Sequence, residues 1–143
     1  MKDDVSKLKS LGSHSTKYQY EHPSADMLET FPNQYPGRNY KTKFIFNEFS
    51  SLCPKTGQPD FATIAIEYIA HELCIETKSL KTYFLAYRME PTFMETLTNR
   101  ILEDCVKVCS PSYMKVTADF NARGGTVINV VAKYDELEDD ILS

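Results

Sequence analysis

The sequence predicts an α+β domain, in which an antiparallel sheet of four strands carries two helices on one face in the order ββααββ. Four segments alternate in polarity with the two-residue period of half-buried strands, and two helical segments separate the second from the third. The 143 residues are 42% hydrophobic and 25% charged, which is typical of one soluble globular domain. This size leaves little room for a second domain.

The first two strands are predicted on either side of a proline-rich loop. In residues 40–49, Phe44 and Phe46 stand at alternate positions. Residues 61–69 follow the same period and are rich in isoleucine. The loop between them, residues 53–60, contains two prolines and a glycine, so the two strands are expected to pair antiparallel.

Two helices are predicted next. Residues 76–88 are acceptable as a short helix, although their period is ambiguous. Pro91 suits the first turn of a second helix, because its missing N–H would have no partner there. Apolar residues then recur at three- and four-residue spacings and stop before Pro111, which is the pattern of an amphipathic helix. These apolar positions are Met94, Leu97, Ile101, Cys105 and Val108.

The last two strands are predicted as a hairpin. Residues 113–120 have apolar side chains at alternate positions, and residues 126–132 form the final strand. The segment 121–125 between them contains two glycines, which favours a turn. A sheet of this kind has two open edges, which another copy of the chain often covers.

The two ends of the chain are predicted to lie outside this domain. Residues 1–39 are polar and interrupted by prolines, and we expect them to form an arm that packs on the domain, with a helical turn or two at residues 27–31. Residues 40–134 form the predicted catalytic domain. Residues 135–143 are predicted to be a solvated acidic tail or a frayed helix.

Composition argues against several classes of protein. The longest apolar stretches, residues 63–70 and 126–132, are far shorter than the roughly 20 residues that cross a bilayer, so no membrane span is expected. The N-terminal residues lack the apolar core of a secretory signal, which makes the cytoplasm the expected location. A net charge of −4 gives no overall attraction to nucleic acid. The four cysteines and three histidines have no zinc-ligand spacing, so no metal is expected.

The loop at residues 53–60 is the strongest candidate for chemistry. Cys53 can act as a nucleophile if its thiol pKa is lowered, for which Lys55 or a nest of backbone amides is a candidate. Asp60, at the start of the next strand, is a candidate general acid. His71 is predicted at the far end of that strand, so a Cys-His pair is not expected. The alternative interpretation is a rigid turn with a half-buried cysteine.

Longer motifs within and around this loop carry a specific resemblance. The sequences SLCPKTGQPDFATI at residues 51–64 and ETKSLK at residues 76–81 strongly resemble the nitrile reductases of queuosine biosynthesis, the QueF family, in their short single-domain form. Further matches that extend the resemblance over nearly the whole chain are KSLG (9–12), ETFPN (29–33), FLAYR (84–88) and RGG (123–125). The resemblance implies the tunnelling fold, an antiparallel sheet with two helices on one side, in agreement with the order predicted above.

The resemblance also implies a reaction and roles for individual residues. The family reduces the nitrile of 7-cyano-7-deazaguanine to the 7-aminomethyl compound with two NADPH, through a covalent thioimide. Cys53 falls on the nucleophile and Asp60 on the proton donor. The positions that hold the substrate correspond to Ile75, Glu76, Thr77, Met94 and Glu95, and those assigned to NADPH correspond to Thr77, Lys78, Arg123 and Gly124. As alternatives, Glu76 and Glu95 are ordinary surface carboxylates and Lys78 belongs to a solvated helix face.

The chain departs from the family pattern in two places, at the start of the second predicted helix and around the Arg-Gly-Gly motif. Met94 replaces the usual histidine, and a thioether cannot relay a proton, so a core position is its alternative reading. Ala122 stands where proline is common, and the segment after the Arg-Gly-Gly motif differs. Two other functions remain open: a QueF-like amidinotransferase that uses ammonia on bases of tRNA or DNA, and a non-catalytic deazapurine-binding module. The ETKSLK segment favours the reductase, and a retained thiol and acid argue against the module.

The resemblance finally implies the partners. Short members of this family form rings, and a decamer of two stacked pentamers with sites between subunits is expected. The small molecule is a 7-deazapurine, and no direct contact with nucleic acid or membrane is expected.

Overall fold

The computed structural model describes residue 4, residues 6–7 and residues 18–135. The predicted acidic tail and the KSLG segment lie outside these residues, apart from Asp135. Within the described part of the chain, no helix is long and apolar enough to cross a membrane. The strands are β1 (Thr30–Pro32), β2 (Thr42–Leu52), β3 (Pro59–Ile69), β4 (Leu73–Ile75), β5 (Tyr113–Arg123) and β6 (Thr126–Asp135), and the helices are α1 (Thr77–Leu85) and α2 (Met94–Cys109).

The main sheet has the predicted antiparallel arrangement, with strand order β2-β3-β5-β6. Both predicted helices are present between the second and third long strands, so the predicted α+β fold is confirmed. The strands are longer than the alternation alone indicated. Pro59 and Asp60, expected in the loop, already pair with Leu52 and Ser51, because the hairpin ladder continues toward the turn.

A second, two-stranded sheet of β1 and β4 was not predicted. The helical turn expected at residues 27–31 is wrong in extent, since a 3₁₀ turn occupies Ala25–Met27 and the chain then extends into β1. A three-residue strand is too short to display a period. Pairing of Phe31 with Cys74 gives the segment its strand conformation instead.

The core lies between one face of the main sheet and the two helices. Alternate side chains of β3 and β5 are fully buried there, including Ile64, Ile66, Met114 and Val116. They face Leu97 and other apolar residues of α2, which lie at the spacing that the sequence predicted. Burying this stripe supplies the main hydrophobic stabilisation of the sheet.

Helix α1 runs alongside β2, in the same direction as that strand. At its C-terminal half Phe84 stacks on Phe46 with ring centroids 5.1 Å apart, and beyond it Tyr87 packs against Phe49 at 5.3 Å. The helix therefore begins at one end of the sheet and points toward the end where β2 and β3 are joined. The end where β2 and β3 are joined, residues 52–60, is called the loop end. The end where α1 begins, residues 68–78, is called the helix-start end.

Candidate active site

The loop between β2 and β3 is a closed turn built around Cys53. The Cys53 N–H donates to the Gln58 carbonyl at 2.8 Å, and the Gly57 N–H donates to the Cys53 carbonyl at 2.9 Å. Gly57 has φ +72°, a left-handed conformation in which a side chain would be strained. These bonds hold the thiol half-buried at the tip of the hairpin.

The Cys53 sulfur accepts hydrogen bonds from its own loop. Hydrogen bonds from the Thr56 hydroxyl and from the backbone N–H groups of Thr56 and Lys55, together with the nearby charge of Arg123, lower the pKa of Cys53 to about 7. The amide nest expected from the sequence is therefore present. The Lys55 ammonium is not among the groups that lower the pKa, because only the backbone of that residue contributes. A large fraction of the thiol is ionised at neutral pH.

Asp60 lies beside this thiol on the same face of the hairpin. It is only 6% exposed and pairs in the β2–β3 register with Ser51, two residues before Cys53. Cross-strand neighbours displaced by two positions lie about 7–8 Å apart at their Cα atoms. The register therefore places the carboxylate near the thiol at this end of the hairpin.

Arg123 connects Asp60 to the loop. From the end of β5, its Nη1 donates to Asp60 Oδ1 at 2.5 Å, and its Nη2 donates to Gln58 Oε1 at 2.6 Å. The adjoining turn at Gly124 and Gly125 has φ +58° and +79°, the mirror-image turn that a two-residue hairpin favours. The residue that the resemblance assigned to NADPH thus contacts Asp60 and the loop.

Sequence reasoning missed Ser51, Thr56 and Gln58. Ser51 is fully buried, and its hydroxyl has no hydrogen-bond partner among the described residues. The two-residue period set by Phe44 and Phe46 would have pointed to Ser50 instead, because an irregularity between Phe46 and Phe49 shifts the buried positions of β2 by one residue. The roles of the two loop residues depend on Arg123, 67 and 65 positions away, and no local pattern records that contact.

The start of α2 also lies at the loop end. The Leu52 N–H donates to the Glu90 carbonyl at 3.1 Å and the Thr92 N–H donates to the Leu52 carbonyl at 3.0 Å, so the segment entering α2 extends the edge of the hairpin. Glu95 lies exposed in the first turn of α2, whereas Met94 is 9% exposed and packs in the core. Met94 is therefore a core residue in the structure, which is the alternative that the sequence analysis gave for it.

Glu76 is the N-cap of α1. Its Oε1 accepts from the Ser79 N–H at 2.7 Å and its Oε2 accepts from the Lys78 N–H at 2.8 Å. These backbone hydrogen bonds lower the pKa of Glu76 and hold it as a carboxylate. Its neighbour Ile75 is buried, and the Ile75 N–H donates to the Tyr68 hydroxyl at 2.9 Å, which ties this segment to the helix-start end.

The predicted site residues therefore fall into two groups. Cys53, Asp60, Met94, Glu95, Arg123 and Gly124 lie at the loop end, whereas Ile75, Glu76, Thr77 and Lys78 lie at the helix-start end. Asp60 and Tyr68 lie eight positions apart in β3, and this length of strand is roughly 26 Å at the rise of a β-strand. Within one chain, this length of strand lies between Asp60 and the residue whose hydroxyl contacts Ile75. Within the described residues no cluster of histidine, cysteine and carboxylate side chains is arranged to hold a metal.

Comparison with known proteins decides the family. Residues 59–139 match the family model described as QueF-like protein. A protein of Nitratidesulfovibrio vulgaris named NADPH-dependent 7-cyano-7-deazaguanine reductase is 47% identical over 137 residues, which cover 95% of this chain and 82% of that protein. The chain belongs to the QueF family.

Other members of the QueF family and one solved structure agree with this. A protein of the same name from Thiobacillus denitrificans is 52% identical over 107 residues, 75% of this chain and 77% of that one. The crystal structure of the archaeosine synthase QueF-Like in the apo form covers 78% of this chain with a TM-score of 0.59 and 97% of its own length. At 23% identity this likeness shows the shared fold, and the predicted tunnelling fold is confirmed.

Proposed function

We propose that this protein reduces the nitrile of 7-cyano-7-deazaguanine to an aminomethyl group with two NADPH, through a thioimide on Cys53, in queuosine biosynthesis. The observation that carries the proposal is a thiol with a pKa of about 7, built into a closed turn beside a buried carboxylate, in a chain of the QueF family. The curated relatives of 47–52% identity bear the name of this reductase.

The first step is addition of the thiol across the nitrile. The Cys53 sulfur forms a bond to the nitrile carbon, one π bond of the nitrile opens, and the nitrogen takes a proton. Asp60 is ion-paired with Arg123, so we infer that it accepts the thiol proton and passes it to the nitrogen. The product is a thioimide, whose carbon accepts hydride more readily than that of a nitrile.

Two hydrides then complete the reduction, and NADPH supplies them when it is bound. Transfer of the first hydride to the thioimide carbon, with a proton to nitrogen, would give a tetrahedral centre. Cys53 next leaves as a thiolate and gives an imine, for which a thiol pKa near 7 is suited because the leaving group is weakly basic. Transfer of a second hydride to the imine carbon, with a proton to nitrogen, would give the amine, after Cys53 has already regained its thiolate.

Glu76 and Glu95 are proposed to hold the base. The two capping hydrogen bonds use one acceptor site on each oxygen of Glu76 and leave further lone pairs for paired N–H donors of a purine-like edge. Glu95 is exposed beside the loop end, where it can reach the same ligand. On this account capping fixes a binding carboxylate in place before the ligand arrives.

The groups proposed for NADPH fit an anionic dinucleotide. Lys78 is exposed at the start of α1 and carries the positive charge that a phosphate requires. At Gly124 a Cβ would meet no heavy atom within 4 Å, so the backbone of this turn is open to a ligand. Thr77 lies beside Lys78 at the helix-start end, whereas Gly124 lies at the loop end. The complete proposed site needs residues from both ends.

We therefore propose that two copies of the chain build each site. The loop end of one copy faces the helix-start end of another, which brings Cys53 and Glu76 onto one ligand. The edge strands β2 and β6 leave Ile45, Val127 and Val131 exposed, and their open ladders can pair with a neighbouring copy. A closed ring, such as the decamer that the resemblance implies, would satisfy every edge.

The test is to mix the protein with 7-cyano-7-deazaguanine, record its intact mass, and then add NADPH while following its absorbance. We expect a covalent adduct, followed by oxidation of two NADPH per nitrile. An adduct that resists NADPH but is released by ammonia would replace the proposal with the amidinotransferase. Absence of any adduct would leave only binding of the base.

A further inference from the structure

We propose that Arg123 is a positioning residue that sets the reactivity of Cys53. It acts through two groups, the Thr56 hydroxyl and the Asp60 carboxylate. The inference depends on the proposed function only for its purpose, because the contacts that carry it all lie within the chain. A role for Arg123 in holding cofactor does not account for them.

The guanidinium donates to three side chains, two in the loop and one at the start of β3. Nη1 donates to Asp60 at the start of β3, and Nη2 donates to the Gln58 side chain in the loop, at 2.5 and 2.6 Å. Nη2 also donates to Thr56 Oγ1 at the longer distance of 3.4 Å. A planar fork with donors in fixed directions holds several acceptors at once, which a flexible ammonium does not. Arg123 therefore fixes the loop relative to the carboxylate.

The Thr56 hydroxyl is the link to the thiol. Its oxygen accepts from the Gln58 N–H at 3.3 Å as well as from Arg123, and these two donors occupy its lone pairs. Its single proton is left to donate to the Cys53 sulfur, which is the largest of the effects that lower the pKa of that thiol. Without the guanidinium, the hydroxyl can also rotate to donate elsewhere, so the thiolate loses part of its stabilisation.

The pH dependence of Cys53 alkylation tests this without substrate or cofactor. Iodoacetamide is added over a range of pH, and the label is followed by intact mass. The wild-type midpoint is expected near the thiol pKa of about 7. We expect Arg123→Gln to raise the midpoint by about one pH unit, which makes alkylation at pH 7 about fivefold slower.

Two further variants separate orientation from charge. Arg123→Lys keeps the charge without the fork, so at least half of the shift should remain. Thr56→Val should give a similar shift, and adding Arg123→Gln to it should raise the midpoint by clearly less than the sum of the two single shifts, since part of the Arg123 effect acts through Thr56 and only its charge and its contact with Asp60 act separately. Complete recovery with lysine, or full additivity in the double variant, would overturn the positioning role. If Arg123→Gln does not fold, Arg123→Lys and Thr56→Val still decide the question.

Matched controls complete the experiment. Arg38→Gln removes the same charge from an exposed position elsewhere and should leave the midpoint unchanged. Cys53→Ala should take up no label at this rate, which excludes the buried cysteines as its source. An unchanged midpoint in Arg123→Gln with a raised KM for NADPH would refute the inference and assign the residue to the cofactor alone. If the wild type forms no nitrile adduct, the proposed function fails while these midpoints still report on Arg123.

Discussion

Mixing two inactive variants is expected to restore activity if each site takes residues from two copies, as proposed above. Cys53→Ala removes the nucleophile at the loop end, and Glu76→Gln weakens the base-binding carboxylate at the helix-start end. The roughly 26 Å of β3 between these ends keeps both groups of one chain from reaching one ligand. In an equal, random mixture, half of the neighbours supply an intact thiol and half supply an intact carboxylate. About one quarter of the sites are then complete.

The assay is NADPH oxidation with 7-cyano-7-deazaguanine after the two variants are unfolded and refolded together. Each variant refolded alone gives the baseline. Cys53→Ala mixed with Asp60→Asn is the matched control, since both residues belong to the loop end of one copy and no mixture completes a site. Native mass spectrometry establishes that the subunits have mixed. Mixed assemblies with no more activity than the separate variants would refute the shared site.

Three further predictions concern single sites. Cys53→Ala should abolish the nitrile adduct with the fold retained. Asp60→Asn should bind the base but form the adduct about 100-fold more slowly than the wild type. Equal rates for Asp60→Asn and the wild type would show that the acid is misassigned. The adduct rate should fall as pH drops through about 7, because the lowered pKa of Cys53 keeps its thiolate only above that value; a flat profile from pH 5 to 9 would contradict this. Ser51→Ala should raise the free energy of unfolding in urea by about 1 kcal/mol, because it removes a buried hydroxyl without a partner, and a lower stability would show that the hydroxyl is bonded in solution.

The elements that the sequence predicted are those with a repeating pattern. Alternation over seven or more residues identified the long strands, and the spacing of apolar residues identified α2. The β1–β4 sheet has only three residues in each strand, and its pairing of Thr30 with Ile75 joins segments 45 positions apart. Such a contact follows from tertiary packing and leaves no local period to read.

The candidate site divides in the same way. Cys53 and Asp60 come from one loop, and their relation follows from the hairpin register, so the sequence motif placed them together correctly in the structure. Arg123 reaches Asp60 from 63 positions away, because β5 pairs with β3 and ends beside the loop. The separation of Glu76 from Cys53 could likewise not be predicted from the motifs, since a match of residue types gives no information on the distance between them.

Each half of the proposed site is organised by hydrogen bonds within its own chain. At the loop end, the turn amides and the Thr56 hydroxyl hold the thiolate, while at the helix-start end the amides of α1 hold the Glu76 carboxylate. Neither group has to be ordered when subunits meet, so association brings together parts that already have their charge and direction. The reactivity of the thiol is therefore set within the single chain, whereas on the proposed shared site the choice of the purine-like base depends on contact between two copies.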